Sequence, residues 1–369
     1  MKILHVITRL QKAAGTSVFC GEVANGLVAM GHDVTIAVVN PDDSNLYPLD
    51  GRVKFTSISS ILTSNSYPLA TNSYDVVHLH GLWSPVLHKV SNWAKWNKIP
   101  VVWSTHGMTA PWSMRHKWWK KFIAWHLYQK RDLKNAAIIH STTALEVEWN
   151  RKLGFKNPQI EVPLGTFVAK ESAVKLRNIS DALKVLFVGR VYPVKGLMNV
   201  VRAAVKLKDV NIKFRIVGPD QAGHLSELLA ESERLGVAAM FDWAGPKYGE
   251  ELTNEYDKCD MLILPSFTEN FGATVVDALS HSKPALASTF TPWKILEERE
   301  CGWWVPNEPG KLAETFKRIA ALSAEELESM GERGRKLVEE KYAWDAVCSA
   351  MIRGYESCLV WSLEFRVGV

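Results

Sequence analysis

An α/β protein with two successive doubly wound parallel sheets is predicted for this chain. Three observations carry the prediction. Short apolar runs alternate with stretches of helical spacing along most of the sequence. The runs are apolar throughout, as in strands covered on both faces, and do not alternate with polar residues. The alternation stops once, between Gly165 and Asp181, and then restarts, so two Rossmann-like sheets are expected in 369 residues.

The elements follow in order. A strand is expected over 3–8, then a loop from Gln11 to Gly15, a helix over 16–30 stopped by Gly31, and a strand over 32–39. The region 41–73 is polar and irregular. Strands are expected over 75–80, 100–104, 136–140 and 160–163, with helices over 84–97, 117–134 and 143–153 between them. The strand 100–104 runs into Thr105-His106-Gly107. After the break, strands are expected over 184–189, 212–218, 240–244, 260–264 and 284–288. Helices are expected over 196–207, 225–235, 250–258 and 271–281, with more filling 310–340. A last helical run places Trp344, Val347, Met351 and Tyr355 at the spacing of a buried stripe.

Composition excludes several classes. With 47% hydrophobic and 22% charged residues the chain is globular. No apolar run approaches the roughly 18 residues of a membrane span, and Arg9 interrupts the N-terminus too early for a secretory signal. Five scattered cysteines, without CxxC or zinc spacing, suit a reduced, cytoplasmic setting. Residues 1–170 hold 19 Lys and Arg against 10 Asp and Glu, a net +9, which leaves −4 for the remainder of the chain's +5. Nine of the 15 tryptophans lie in the same basic half, so the halves are expected to have different partners.

The most informative stretch is Leu264-Pro-Ser-Phe-Thr-Glu-Asn-Phe-Gly-Ala-Thr-Val-Val-Asp277-Ala278, read as strand, loop and helix. Gly272 lets the backbone turn and approach a ligand, and the free N–H groups of the helix start suit an anion. Glu269 in the loop and Asp277 in the helix suit a polyol on either side. Upstream, Arg190 leaves a strand end at Gly189 and Lys195 precedes the next helix, two cations placed for a diphosphate. Gly15 could admit an anion at the first strand–helix turn, which carries no GxGxxG dinucleotide fingerprint. His106, at a strand's C-terminal end, could donate to a sugar hydroxyl, act as acid or base, or be a satisfied loop histidine. No DxD pair or clustered His and Cys points to a metal, and nothing points to nucleic acid.

In this order, the features resemble the retaining GT-B glycosyltransferases of family 4, the glycosyl transferases group 1. The shared features are a Gly-containing first turn, the His106-Gly107 turn, Gly189-Arg190 with Lys195-Gly196, Pro265-Ser266-x-x-Glu269-Asn270-Phe271-Gly272, and Asp277. The resemblance implies two Rossmann-like domains facing a central cleft. It implies an acceptor-side domain over 1–165, a linker over 166–182 and a nucleotide-sugar domain over 183–342. A C-terminal helix over 343–369 would cross back to the first domain. Arg190 and Lys195 would bind the donor diphosphate, and Glu269 would contact the donor sugar. The backbone of Asn270, Phe271 and Gly272 would bind sugar hydroxyls and phosphate. Asp277 would hold the ribose diol, where relatives carry Glu. Gly15, in an Ala14-Gly15 turn where many relatives have Gly-Gly, would face the diphosphate, and His106 the transferred sugar. The donor would be a UDP- or GDP-linked hexose and the acceptor a glycan or lipid-linked glycan of a bacterial-type surface polysaccharide or lipopolysaccharide. No metal cofactor is implied. Two other readings use the same residues: a non-catalytic relative that binds nucleotide or glycan, and a nucleotide-sugar hydrolase or epimerase.

Residues 111–134 combine four tryptophans with seven Lys and Arg and a single acid. Lys117, Trp118, Trp119, Lys120 and Lys121 lead this stretch. They suit an anionic membrane surface on the inner face of a plasma membrane, or a core-facing helix with a wet basic side.

Overall fold

The computed structural model describes residues 1–12, 15–43, 46–63, 74–170 and 181–367, with side chains through 359. The chain forms two compact units, Met1–Gly165 with Trp344–Val369, and Thr166–Ala343. Of the expected linker over 166–182, Thr166 pairs with Ala343 as a parallel bridge, and 171–180 lie outside the described residues.

The first unit is built on seven strands: β1 (Lys2–Ile7), β2 (Asp33–Val38), β3 (Lys54–Ser57), β4 (Val76–His80), β5 (Val101–Ser104), β6 (Ile138–Ser141) and β7 (Gln159–Glu161). Their order is β3-β2-β1-β4-β5-β6-β7, and each neighbouring pair is parallel. The second unit holds β8 (Leu183–Val188), β9 (Ile212–Val217), β10 (Phe241–Gly245), β11 (Met261–Leu264), β12 (Ala285–Ser288) and β13 (Gly302–Val305). Its order is β10-β9-β8-β11-β12-β13, again all parallel. Both are doubly wound Rossmann-like sheets, as expected. The apolar runs are the reason: β11 is buried at every residue, as a parallel strand covered by helices on both faces must be. Strand order reverses at β1/β4 and at β8/β11, and such switch points open crevices at the strands' carboxyl ends.

Two strands were not expected. Both are edge strands; β3 is half exposed and has no apolar run, and β13 is a short Gly-Trp-Trp-Val run. The final helix, Trp344–Val367, belongs to the first unit, and its stripe of Trp344, Val347, Met351 and Tyr355 is buried in that unit's core.

The expected helix over 117–134 is corrected in two ways. Lys117 adopts a left-handed backbone (φ 50°), so a short helix, Pro111–Arg115, ends before it and another, Trp118–Ala124, begins after it. A π-helical turn then spans Trp125–Gln129 and interrupts the α-helix before it resumes at Lys130–Asn135. Core-facing packing is also excluded for Trp118–Ala124, which contains no buried residue. Trp118 is 64% exposed and Leu127 69%, with Trp112, Trp119, Phe122 and Ile123 also exposed. Lys121 turns back to the Ser113 carbonyl and lies over the Trp83 ring, 5.5 Å from its centroid.

Candidate functional site

In the second unit the β8/β11 switch point gathers most of the residues singled out above. β8 ends at Val188, just before Gly189, and a 3₁₀ turn over Pro193–Lys195 carries Lys195 back toward the loop after β11. The Phe267 amide donates to the Val194 carbonyl at 2.8 Å, so the two loops are joined by backbone. Gly196 has φ 73°, and a Cβ there would lie 2.1 Å from the Pro265 carbonyl oxygen, so only glycine permits this approach.

Lys195 forms an ion pair with Glu269, and their side chains are only 17% and 14% exposed. The Ser266 hydroxyl donates to the same Glu269 oxygen at 2.8 Å. Glu269 is thus held by one cation and one hydroxyl. Arg190 stands apart from this pair; it is exposed and donates to Gln221 at 2.9 Å. Asn270 and Phe271 complete the loop. Phe271 packs against Trp293 and Tyr342, with ring centroids 5.3 and 6.0 Å away, and its carbonyl accepts from the Trp293 indole. Gly272 then takes φ 83° and caps the helix Ala273–Ser280, with no room for a Cβ against Leu264. The free amides at the start of that eight-residue helix sit one residue beyond the loop.

Asp277, five residues into the helix, accepts from the Thr166 hydroxyl at 2.8 Å. It lines a cavity of about 640 Å³ together with Tyr256 and His281. Burial, opposed by the Thr166 hydrogen bond and by His281, raises its carboxyl to about 6. Here a shorter acid meets a partner of its own unit.

In the first unit, Gly15 is exposed and opens the helix Gly15–Ala29, while Ala14 lies outside the described residues. His106 follows β5 with φ 48°, a costly backbone for a residue with a Cβ. Glu146, fully buried, secures this turn: it accepts from the Thr105 hydroxyl and the Gly107 amide through one oxygen, and from Thr142 through the other. Sequence reasoning passed over Glu146, which sits in a helix of ordinary polarity.

It also missed a spatial cluster of histidines. Counted along the sequence, no His or Cys cluster exists; the parallel register makes one. His5 on β1 pairs with His78 on β4, and His80 lies two residues on, hence on the same face. His80 neighbours Ser104 on β5, and Ser104 neighbours His140 on β6. All four rings are buried, and burial lowers each one, His5 to about 3 and His140 to about 4, with His78 and His80 well below the usual histidine value. Burial, and then His140, lowers His106 to about 3. The only legible trace was His-x-His in an otherwise apolar strand. Among the described residues, His5, His78 and His80 are also the only group placed to hold a metal ion.

Residues 14–165 match the family described as glycosyl transferase 4-like domain, and residues 169–337 the glycosyl transferases group 1. An uncharacterized glycosyltransferase of Methanocaldococcus jannaschii is 25% identical, with 93% of this chain and 94% of that protein covered. Among solved structures, Anabaena HepE in complex with UDP-glucose has TM-score 0.70 at 15% identity, covering 97% of this chain and 100% of its own. The lipopolysaccharide outer core galactosyltransferase WaaB has TM-score 0.70 at 14% identity, covering 97% of this chain and 99% of its own. At these identities the likeness is one of fold.

Proposed function

Because the chain joins a glycosyl transferase 4-like domain to a group 1 glycosyl transferase domain, the make-up of a GT-B glycosyltransferase, we propose that it moves a hexose-type sugar from a UDP- or GDP-linked donor to an acceptor hydroxyl, with retention at the anomeric carbon. The single observation that carries this reading is the Lys195–Glu269 pair at the β8/β11 switch point, beside the amides of the helix Ala273–Ser280. A diphosphate there meets Lys195, the exposed Arg190 and the helix start, which stabilise the charge on the departing phosphate. Glu269 accepts from hydroxyls of the donor sugar, the backbone from Asn270 to Gly272 holds the sugar and phosphate, and Asp277 takes the ribose diol. Gly15 and His106 are assigned to the same donor, at its diphosphate and its sugar. No metal enters the reaction. HepE's complex with UDP-glucose supports a nucleotide-sugar donor, and WaaB supports a lipopolysaccharide or surface-polysaccharide acceptor. Mass spectrometry of products from a mixed nucleotide-sugar pool with polysaccharide acceptors tests this. A glycosylated acceptor with the donor's anomeric configuration is expected. Free sugar alone means a hydrolase, an altered nucleotide sugar means an epimerase, and no product means a binding protein.

The acceptor side is proposed to work at an anionic membrane surface on the cytoplasmic face. Among the described residues no helix is long and apolar enough to cross a membrane, so the contact is peripheral. The exposed Trp118, Trp119, Phe122, Ile123 and Leu127 offer apolar side chains, and Lys117 and Lys120 flank them. Each lysine near an anionic leaflet contributes about 1 kcal/mol, and each large apolar side chain that leaves water about 1.5–3 kcal/mol. Cosedimentation with phosphatidylglycerol vesicles, weakening with salt, is expected. Trp118→Ser with Phe122→Ser should reduce it at least tenfold and leave nucleotide binding intact. Equal binding to neutral vesicles, or no loss in the variant, rules the surface out.

A further inference from the structure

The histidines of the first unit form two hydrogen-bonded lines whose directions follow from their ends. In the first, His140 Nε2 lies 2.8 Å from the Val162 carbonyl oxygen, which can only accept. A neutral His140 therefore carries its hydrogen on Nε2 and accepts at Nδ1 from the Ser104 hydroxyl, 2.6 Å away. Ser104 in turn accepts from His78 Nε2–H at 2.6 Å, and His78 Nδ1 accepts from the Tyr355 hydroxyl at 2.7 Å. Every group in that line is satisfied.

The second line leads outward. His5 Nδ1 lies 2.9 Å from His80 Nε2, and His80 Nδ1 lies 3.1 Å from His106 Nε2. The far nitrogen, His5 Nε2, is buried without a partner. If hydrogens pointed inward from His106, that orphan would be an N–H, the kind of buried group proteins avoid most strictly. If they point outward from His5, the orphan is a ring lone pair, which is better tolerated. The outward direction gives His80 its hydrogen on Nδ1 and makes His106 Nε2 an acceptor. His106 then carries its own hydrogen on Nδ1, which has no hydrogen-bond partner among the described residues. The nitrogens of His78 and His80 are all engaged in these lines, which leaves only His5 Nε2 for a cation. A relay accounts for the cluster better than a metal does.

We propose that His80 is a positioning residue that holds His106 as the Nδ1–H tautomer, so that its ring meets the donor sugar as a hydrogen-bond donor and not as a base. The relay itself stands on the geometry of the first unit; its effect on catalysis rests on the assignment of His106 to the donor under the proposed function. The strained φ of His106 fits this role, since its turn and its ring are each fixed from behind, by Glu146 and by His80.

Imidazole ¹⁵N shifts of the full chain at pH 7.5, with the His106 signals identified by their loss in His106→Gln, test the relay directly. The native protein is expected to show His106 with Nδ1 protonated and Nε2 bare. In His80→Ala, checked for folding by circular dichroism, His106 Nε2 loses its donor and the ring is expected to revert toward the Nε2–H form that neutral histidine favours in water. In His80→Asn, whose amide can place an N–H near the former Nδ1, the native tautomer should return. Transfer should fall about tenfold in His80→Ala, the weight of one neutral hydrogen bond, and recover to within about threefold in His80→Asn. An Nε2–H tautomer in the native protein, or one unmoved by His80→Ala, overturns the proposal. So does stoichiometric Zn²⁺ that shifts the His5, His78 and His80 signals together. If the tautomers behave as stated but the native protein transfers no sugar, the relay stands and the assigned reaction falls.

Discussion

Replacing Lys195 with alanine is expected to lower sugar transfer by roughly a hundredfold to a thousandfold, the range found when a preorganised charge-stabilising donor is removed. Lys195 is the cation most tightly built into the site, being largely buried and paired with Glu269. Arg190 is exposed and bonded only to Gln221 among the described residues, so Arg190→Ala should cost less, about tenfold. Lys195→Ala also strands the Glu269 carboxylate in a half-enclosed pocket with one hydroxyl partner. The double variant with Glu269→Gln should therefore be more stable than Lys195→Ala alone, though no more active. Glu269→Gln by itself should reduce transfer far more than binding of the free nucleoside diphosphate, because its assigned partner is the sugar. Steady-state transfer measured beside nucleotide calorimetry separates the two. Full activity in Lys195→Ala, or equal losses of nucleotide binding for both residues, would falsify this division of roles.

The second large effect is acid lability of the first unit. The unfolded chain's histidines take up protons below about pH 6.5, but the buried rings of His5, His78, His80 and His140 and the half-buried ring of His106 refuse them until far lower pH, for His5 and His106 until about 3. Stability contributed by these groups is complete above pH 6.5 and is lost as pH falls toward their folded values. Each group gives up about 1.4 kcal/mol per pH unit, so five together lose roughly 7 kcal/mol between pH 6 and 5. That is comparable with the whole stability of a domain. Asp277 works the other way. Its raised carboxyl is destabilising at neutral pH, and the second unit recovers that share as pH falls below about 6. Thermal unfolding followed from pH 7.5 to 5 should show one transition falling steeply while the other changes little. A single flat transition over that range would refute the buried neutral cluster.

The fold was legible where burial alone decides the sequence. Met261–Leu264 is apolar at every position because helices cover both faces of β11, and such a run is readable anywhere. Lys54–Ser57 was unreadable because an edge strand need not be apolar, whereas Gly302–Val305 is a short apolar run that sequence reasoning passed over. The loop 265–272 could be read because its glycine and carboxylate are close in sequence. The pairing of Lys195 with Glu269 could not, since a strand order that places β8 beside β11 brings them together across 74 residues. The histidine lines were hidden for the same reason: no residue spacing encodes a register. The break of the expected helix over 117–134 into separate pieces was not readable because Lys117's left-handed backbone and the π turn have no sequence signal.

The helix Trp344–Val367 closes the first unit although the whole second unit, Thr166–Ala343, precedes it in the chain. Tyr355 reaches His78 across 277 residues of sequence. On the ribosome, the first 165 residues emerge with an open flank: Phe19 waits for Trp344, and His78 has no hydroxyl to cap its line. The second unit is continuous and can finish while the first is still incomplete. A segment made after the second unit is thus the keystone of a domain begun before it, and a nascent chain stalled just short of it would expose an unfinished core to chaperones and proteases, though most of that domain's fold is already encoded.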